Sequence, residues 1–186
     1  FYAIDRRSGE KIWEFDTKRG RYFSPGACWP VVLPYTRQGK TNEQVIVLSS
    51  DYFVRSFHPG TGEIFWASDE AKGRESLSPD GKTMYVKGIK NNITAADISH
   101  GTYTSLWNTS MPYESNFIPT RMETTEQLVF IPTEFGVLHA VQTDGSGIAW
   151  SHKISHSAIT SLKNAGKGKI IVMTMDGTVT CLEYPL

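Results

Sequence analysis

The chain has 186 residues, 39% hydrophobic and 20% charged, which supplies enough apolar material for a packed core and too little charge for a disordered segment. Its 19 basic and 19 acidic side chains cancel, so the net positive field that nucleic acids and anionic membranes need is absent and no nucleic-acid partner is expected. No stretch reaches the roughly 18 consecutive apolar residues of a membrane-spanning helix.

Short runs of Val, Ile, Thr and Tyr, separated by turn-forming residues that include 16 Gly and 9 Pro, predict an all-β chain of many strands. The first residues, Phe1-Tyr2-Ala3-Ile4-Asp5, read as neither a signal peptide nor the start of a domain, so the chain is expected to begin within a structure. Ala3 to Trp13 reads as strand, tight turn, strand, and Ser56 to Trp66 repeats it. A third copy runs from Ala140 to Trp150, and a fourth, with a longer turn, from Ala95 to Trp107. The chain ends inside a fifth, Thr180-Cys181-Leu182-Glu183. The residues that open these turns (5, 58, 97, 142 and 183) are spaced by 53, 39, 45 and 41 residues, near the roughly 40–50 of one propeller blade.

Each copy carries the same physical logic. A small residue (Ala3, Ser56, Ala95, Ala140 or Cys181) is expected to let neighbouring blades approach. An Asp opens the turn by accepting backbone N–H bonds, Gly takes the positive-φ position, and Trp fills the space between sheets. His58 and Gln142 stand in place of Asp, so their turns should be held by weaker side-chain bonds. Between the copies, alternating strands are expected at Gln44 to Leu48, Thr83 to Lys87, Leu128 to Ile131 and Lys169 to Thr174. Hairpins follow them at Ser50-Asp51, Asn91-Asn92, Phe135-Gly136 and Asp176-Gly177, and Ser78-Pro79-Asp80-Gly81-Lys82 reads as a further turn. The triplets Asn92-Ile93-Thr94 and Asn108-Thr109-Ser110 fit glycosylation acceptors but read as turn residues.

The expected architecture is one partial β-propeller of four-stranded antiparallel blades over 1–186, with blade pieces near 1–17, 18–70, 71–111, 112–153 and 154–186. It reads as the carboxy-terminal half of a larger, about eight-bladed ring. Strand Gly177 to Glu183 should then present an unpaired outer edge, to be covered by another chain, by residues outside this one, or by Lys11 to Phe15. Cys28 and Cys181 are far apart with no CxxC or metal spacing, and read as two buried free thiols.

The pattern Ala3, Asp5, Gly9, Trp13 resembles the quinoprotein-type (PQQ-type) propeller repeat, and the resemblance covers the whole chain. That repeat recurs in dehydrogenases, in the outer-membrane assembly lipoprotein BamB and in modules attached to kinases and phosphoesterases. Tyr22 to Pro30, Arg74 to Ser78 and Thr174 to Tyr184 are similar to the propeller that follows a calcineurin-like metallophosphoesterase domain in proteins of Bacteroidetes type. This resemblance implies a non-catalytic accessory module in the periplasm or cell envelope, with the enzyme upstream and no cofactor of its own. The alternative is part of a quinone-dependent dehydrogenase whose active site lies in the missing half; against it stand the absence of adjacent cysteines and of an acidic cluster in this sequence. His152 and His156 would share a helix face at zinc-pair spacing, but in a strand they would lie about 13 Å apart, so no metal site is assigned.

The connections between blades, taken as loops at Phe23 to Pro30, Lys72 to Ser78, Met111 to Pro119 and Ser155 to Thr160, should emerge on one face around the central channel. The candidate binding residues there are Trp29, Arg74, Glu75, Tyr113, Glu114 and His156. Aromatic, guanidinium and carboxylate groups at a concave mouth suit a protein or peptide partner of mixed charge.

Overall fold

The computed structural model describes residues 1–17, 30–49, 51, 53–69, 71–88, 91–111 and 120–185, with 71–74 described in backbone only. Among these there is no α-helix. Among the described residues, seventeen strands form five antiparallel sheets in chain order. The first holds β1 (Tyr2–Ile4) and β2 (Lys11–Glu14); the second, β3 (Val31–Arg37), β4 (Lys40–Leu48), β5 (Val54–Phe57) and β6 (Ile64–Ser68). The third holds β7 (Ala71–Leu77), β8 (Thr83–Gly88), β9 (Asn92–Asp97) and β10 (Thr104–Ser110). The fourth holds β11 (Glu123–Thr124), β12 (Leu128–Pro132), β13 (Val137–Gln142) and β14 (Ile148–Lys153), and the last β15 (Ile159–Gly166), β16 (Lys169–Thr174) and β17 (Val179–Glu183).

Every connection within a sheet is a hairpin, so sequence neighbours are spatial neighbours. Two hairpins place a pair of left-handed residues at the tip, Gln38-Gly39 and Lys167-Gly168, with φ between 52° and 73°, the type I′ geometry that matches strand twist.

The sheets stack through their faces. Ile46, Leu48, Val54 and Trp66 of the second meet Met84 and Val86 of the third. Tyr85, Ile93 and Ala95 of the third meet Val129, Ile131 and Val141 of the fourth. Leu128, Phe130 and Leu138 meet Ile159, Ile170 and Val172 of the last. Strand β12 is buried along its whole length because its alternate side chains serve two different interfaces. It therefore reads as an apolar run, whereas a one-sided strand alternates.

The tryptophans occupy equivalent places. Trp13, Trp66, Trp107 and Trp150 sit across the strand pair from Ala3, Ser56, Ala95 and Ala140, and in each pair the register shifts beside the small residue. That shift is a β-bulge, which sharpens the local twist. The small residue is thus the cross-strand partner of the Trp, a more specific role than easing blade contact. Only Trp66 is buried; the other three are half-buried, because each ring lies in the gap between sheets with one edge at the surface.

That gap explains the turn glycines. A Cβ on Gly62 would lie 2.7 Å from the Trp13 ring, and one on Gly145 would lie 2.6 Å from that of Trp107. The indole N–H groups then donate to Pro59 and Thr143 in the same turns, at 2.8 and 2.9 Å. Trp66 instead donates to Gln44 at 3.3 Å. The Gln44 amide is fully buried, accepts from Ser56 at 2.8 Å and donates to Ile98 of the next sheet at 2.8 Å.

The turn residues rank as their chemistry requires. Asp5 accepts from the N–H groups of Arg7 and Ser8, both at 2.8 Å, whereas His58 Nδ1 accepts from Gly60 and Thr61 at 3.1 and 3.2 Å. In the fourth sheet the turn is carried by Asp144, which accepts from Ser146 at 2.8 Å.

Three expectations are corrected. Lys72 to Ser78 is not a loop, since residues 71–77 form β7 and pair with β8; its polar sequence misled because a first strand does not sit inside an apolar face. Asn92 to Thr94 and Asn108 to Ser110 lie in strands β9 and β10, not in turns; the Asn108 amide donates to Thr94 at 2.8 Å across that pair. Cys181 is a free thiol but exposed, because among the described residues β17 has a neighbour on one edge only; Cys28 lies outside the described residues.

Candidate functional site

First strands carry a different chemistry from the strands behind them. The neighbouring sheets touch mainly through β7, β11 and β15, with β11 in contact with both of the others, while the fourth strands are held apart by tryptophan wedges. Sheets that converge at their first strands and spread outward place those strands at an axis. On β7, β11 and β15 the polar side chains Glu75, Ser76, Glu123, Thr124 and Lys163 stand beside the apolar Leu77, Ile159 and Leu162.

Glu75 on β7 is 3% exposed. Its Oε1 lies 3.6 Å from Nη2 of Arg121, a side chain that is 41% exposed and so reaches from solvent to the buried carboxylate. Among the described residues, Glu75 Oε2 has no hydrogen-bond partner, an expensive state for a buried carboxylate oxygen. One residue on, the Ser76 and Thr124 hydroxyls meet at 2.6 Å, joining β7 to β11. Glu123 then approaches Lys163 of β15 at 3.9 Å. Three first strands are thus linked by polar side chains, with one buried acceptor left open.

Thr124 also borders a cleft of about 370 Å³ lined by Pro79, Thr125, Gln127, Asn164, Lys167 and Tyr184 among others. Pro79, Thr125, Gln127 and Lys167 come from the hairpins after β7, β11 and β15, with Asn164 in β15 itself and Tyr184 just after β17, so the cleft lies where three successive blades meet. One wall is fixed: the Asn164 side-chain Oδ1 accepts from the Gly166 N–H at 2.9 Å and from the Tyr184 hydroxyl at 3.4 Å.

Of the six residues singled out in the sequence, the structure describes the side chains of two. Glu75 sits in the strand, ion-paired to Arg121. His156 is exposed in the connection between β14 and β15. That connection is tied to the β16–β17 turn by the Ser155 hydroxyl, which donates to Asp176 at 2.5 Å. The hydroxyls of Ser155 and Thr174 hold the Asp176 carboxyl far below the usual carboxylate range. Glu75 is buried beside Arg121 while His156 stands exposed in another connection, and no contact among the described residues joins the two. Arg74 lies on β7 with only its backbone described; Trp29, Tyr113 and Glu114 lie outside the described residues. Sequence reasoning missed Ser76, Arg121, Glu123, Thr124 and Lys163; the available signal was the polar run just ahead of the buried strands β8 and β12.

Radial four-stranded sheets meeting at polar first strands and wedged apart by tryptophan define a partial β-propeller. The model of the family described as outer membrane protein assembly factor BamB, a PQQ-type repeat family, matches residues 1–108, and the chain belongs to that family. Among solved structures, Sqt1 from Saccharomyces cerevisiae superposes with a TM-score of 0.73 at 13% identity, over 98% of this chain and 51% of that one. BamB from Moraxella catarrhalis gives 0.57 at 12% identity, over 94% and 50%. The computationally designed Ika4 protein gives 0.62 at 15% identity, over 76% and 86%. At such identities the likeness speaks for the fold. The chain spans about half the length of the BamB and Sqt1 structures. No curated protein matches it by sequence.

Proposed function

We propose that this chain is a non-catalytic propeller module that recognises a protein or peptide partner through its axial polar strands. In this reading it is the carboxy-terminal part of a larger, about eight-bladed propeller, accessory to an upstream catalytic domain such as a metallophosphoesterase. The observation that carries the binding role is Glu75: a buried carboxylate with one oxygen unpartnered among the described residues, next to a half-exposed Arg121. If Arg121 swings outward to take a carboxylate or backbone carbonyl of a partner, the Glu75 carboxylate is uncovered for a Lys or Arg side chain of the same partner. A mixed-charge peptide segment meets both demands. The cleft beside Thr124 gives its flanking residues a place to lie. Membership of a propeller family and the balanced net charge support recognition of protein over polyanion.

The test is peptide selection against the immobilised chain from a random library, followed by titration of the enriched sequences into wild type, Glu75→Gln and Arg121→Gln. Enriched peptides should carry a basic residue, and each substitution should weaken them at least about tenfold, the scale of an interface hot spot. Melting temperatures measured in parallel separate binding from folding. Unchanged affinity with a lowered melting temperature would show that the pair only holds β7 against the fourth sheet.

A further inference from the structure

Three successive sheets share one backbone frame just after the third strand. The N–H groups of Ile98, Thr143 and Tyr184 donate to the carbonyls of Lys82, Gln127 and Gly168, in the hairpin between the first two strands, at 2.9, 3.0 and 2.7 Å. The frame repeats but its side chain does not. Ile98 is fully buried in the apolar contact between the second and third sheets. Tyr184 instead lays its ring against Phe130 of the fourth sheet, centroids 5.0 Å apart, and carries its hydroxyl to Asn164. A polar tip therefore borders the cleft of about 370 Å³ between the fourth and last sheets.

Among the described residues, several donors in that lining are unused. Asn164 Oδ1 is occupied by the Gly166 N–H and the Tyr184 hydroxyl, which orients the amide and leaves Nδ2 as its free end. The turn at Lys167-Gly168, with φ 52° and 70°, joins the paired residues Gly166 and Lys169, and the tip N–H groups of such a two-residue turn fall outside the ladder. Among the described residues those two N–H groups donate to nothing, and the Lys167 ammonium makes no ion pair. Glu126 is the one carboxylate in the lining. One cation and neutral donors set against one anion suit a single negative charge; a dianionic phosphate would face Glu126 without a second cation.

We propose that this cleft is a carboxylate subsite that takes a Glu or Asp side chain of the partner, with Lys167, Asn164 Nδ2 and the N–H groups of Lys167 and Gly168 as its donors. The inference rests on the axial reading above for the identity of the partner, and names a second determinant in it. The Ser76–Thr124 hydroxyl contact joins the strand of Glu75 to a wall of the cleft, so a segment lying along β7 and β11 passes from one to the other. Such a partner carries a basic residue for Glu75 and an acidic one for the cleft.

The probe is N-acetyl-glutamate amide, which has no terminal charges, with N-acetyl-glutamine amide as the uncharged isostere. Each is titrated into the whole chain while NMR follows the backbone amides of residues 164–168 and the Asn164 side-chain amide. The glutamate probe should shift these signals saturably, with a Kd in the millimolar range, and the glutamine probe should bind at least about tenfold more weakly. Lys167→Gln keeps the turn, since Gln38 holds φ 52° at the tip of the β3–β4 hairpin. Asn164→Asp keeps the acceptor for Gly166 and Tyr184 and turns the free donor into an acceptor. Each should weaken the glutamate probe at least about fivefold with the melting temperature unchanged. Glu75→Gln should leave the probe's affinity as it is, so that failure of the cleft and failure of the axial pair are read separately. No saturable shift at residues 164–168 at tens of millimolar would overturn the proposal, as would equal binding of the two probes or full affinity in both cleft variants. A changed affinity in Glu75→Gln would place the probe at Arg121 and overturn it too.

Discussion

At the residue scale, the repeat glycines answer to two demands that substitution can separate. Gly9 has φ 76° with open space around its Cβ position, while Gly145 has φ 82° and the Trp107 ring 2.6 Å away. Gly9→Ala should therefore cost only the left-handed strain, about 1–2 kcal/mol, and Gly145→Ala about 3 kcal/mol once overpacking is added. Urea unfolding of the two variants checks this; equal losses would mean that the Trp ring moves aside freely. Gln44→Leu leaves the Ser56 hydroxyl, the Trp66 N–H and the Ile98 carbonyl without their buried partner, an expected loss of about 2–3 kcal/mol.

His139 gives the residue scale its pH dependence. It is 6% exposed, its Nδ1 lies 2.6 Å from the Ser151 hydroxyl, and burial pushes its pKa from 6.5 down to about 4. Between those values the unfolded chain binds a proton that the folded chain refuses. The associated stability is full above pH 6.5 and lost as pH falls towards 4. From pH 7 to pH 5 the loss should be about 2 kcal/mol, seen in thermal melts, and His139→Gln should flatten that slope. An unchanged slope in the variant would place the acid sensitivity elsewhere.

At the scale of elements, burial separates the middle strands from the ends. Strands β5, β8, β9, β12 and β13 are buried nearly throughout, whereas β1, β2 and β17 are largely open. Amide exchange should be slowest in the first group and fastest in the second, because local opening there exposes little apolar surface. Uniform protection along the chain would contradict stacking as the source of stability. Strand β12 was legible in the sequence from Leu128 to Ile131, although the strand expected to alternate is instead an apolar run buried on both faces. The Trp copies were legible because their turn chemistry is local. Strand β7 was not: the sequence of 71–76 carries no apolar period, and its two described polar side chains, Glu75 and Ser76, meet Arg121 and Thr124. Arg121 was equally hidden, because its importance comes from Glu75, 46 positions earlier in sequence, and only packing brings the two together. Cys181 misled for the related reason that burial of a third strand depends on a fourth.

At the scale of the whole molecule, stability is a sum of sheet-to-sheet interfaces, as in other repeat proteins, and recognition is proposed at the axis where those sheets converge. The most direct test is amide exchange of the chain with and without a peptide enriched by selection. Added protection should concentrate in Glu75 to Leu77, Met122 to Thr124 and Ile159 to Lys163, the first strands of three successive sheets. Protection confined to the outer strands β6, β10 and β14, or no change anywhere at saturating peptide, would contradict the axial site.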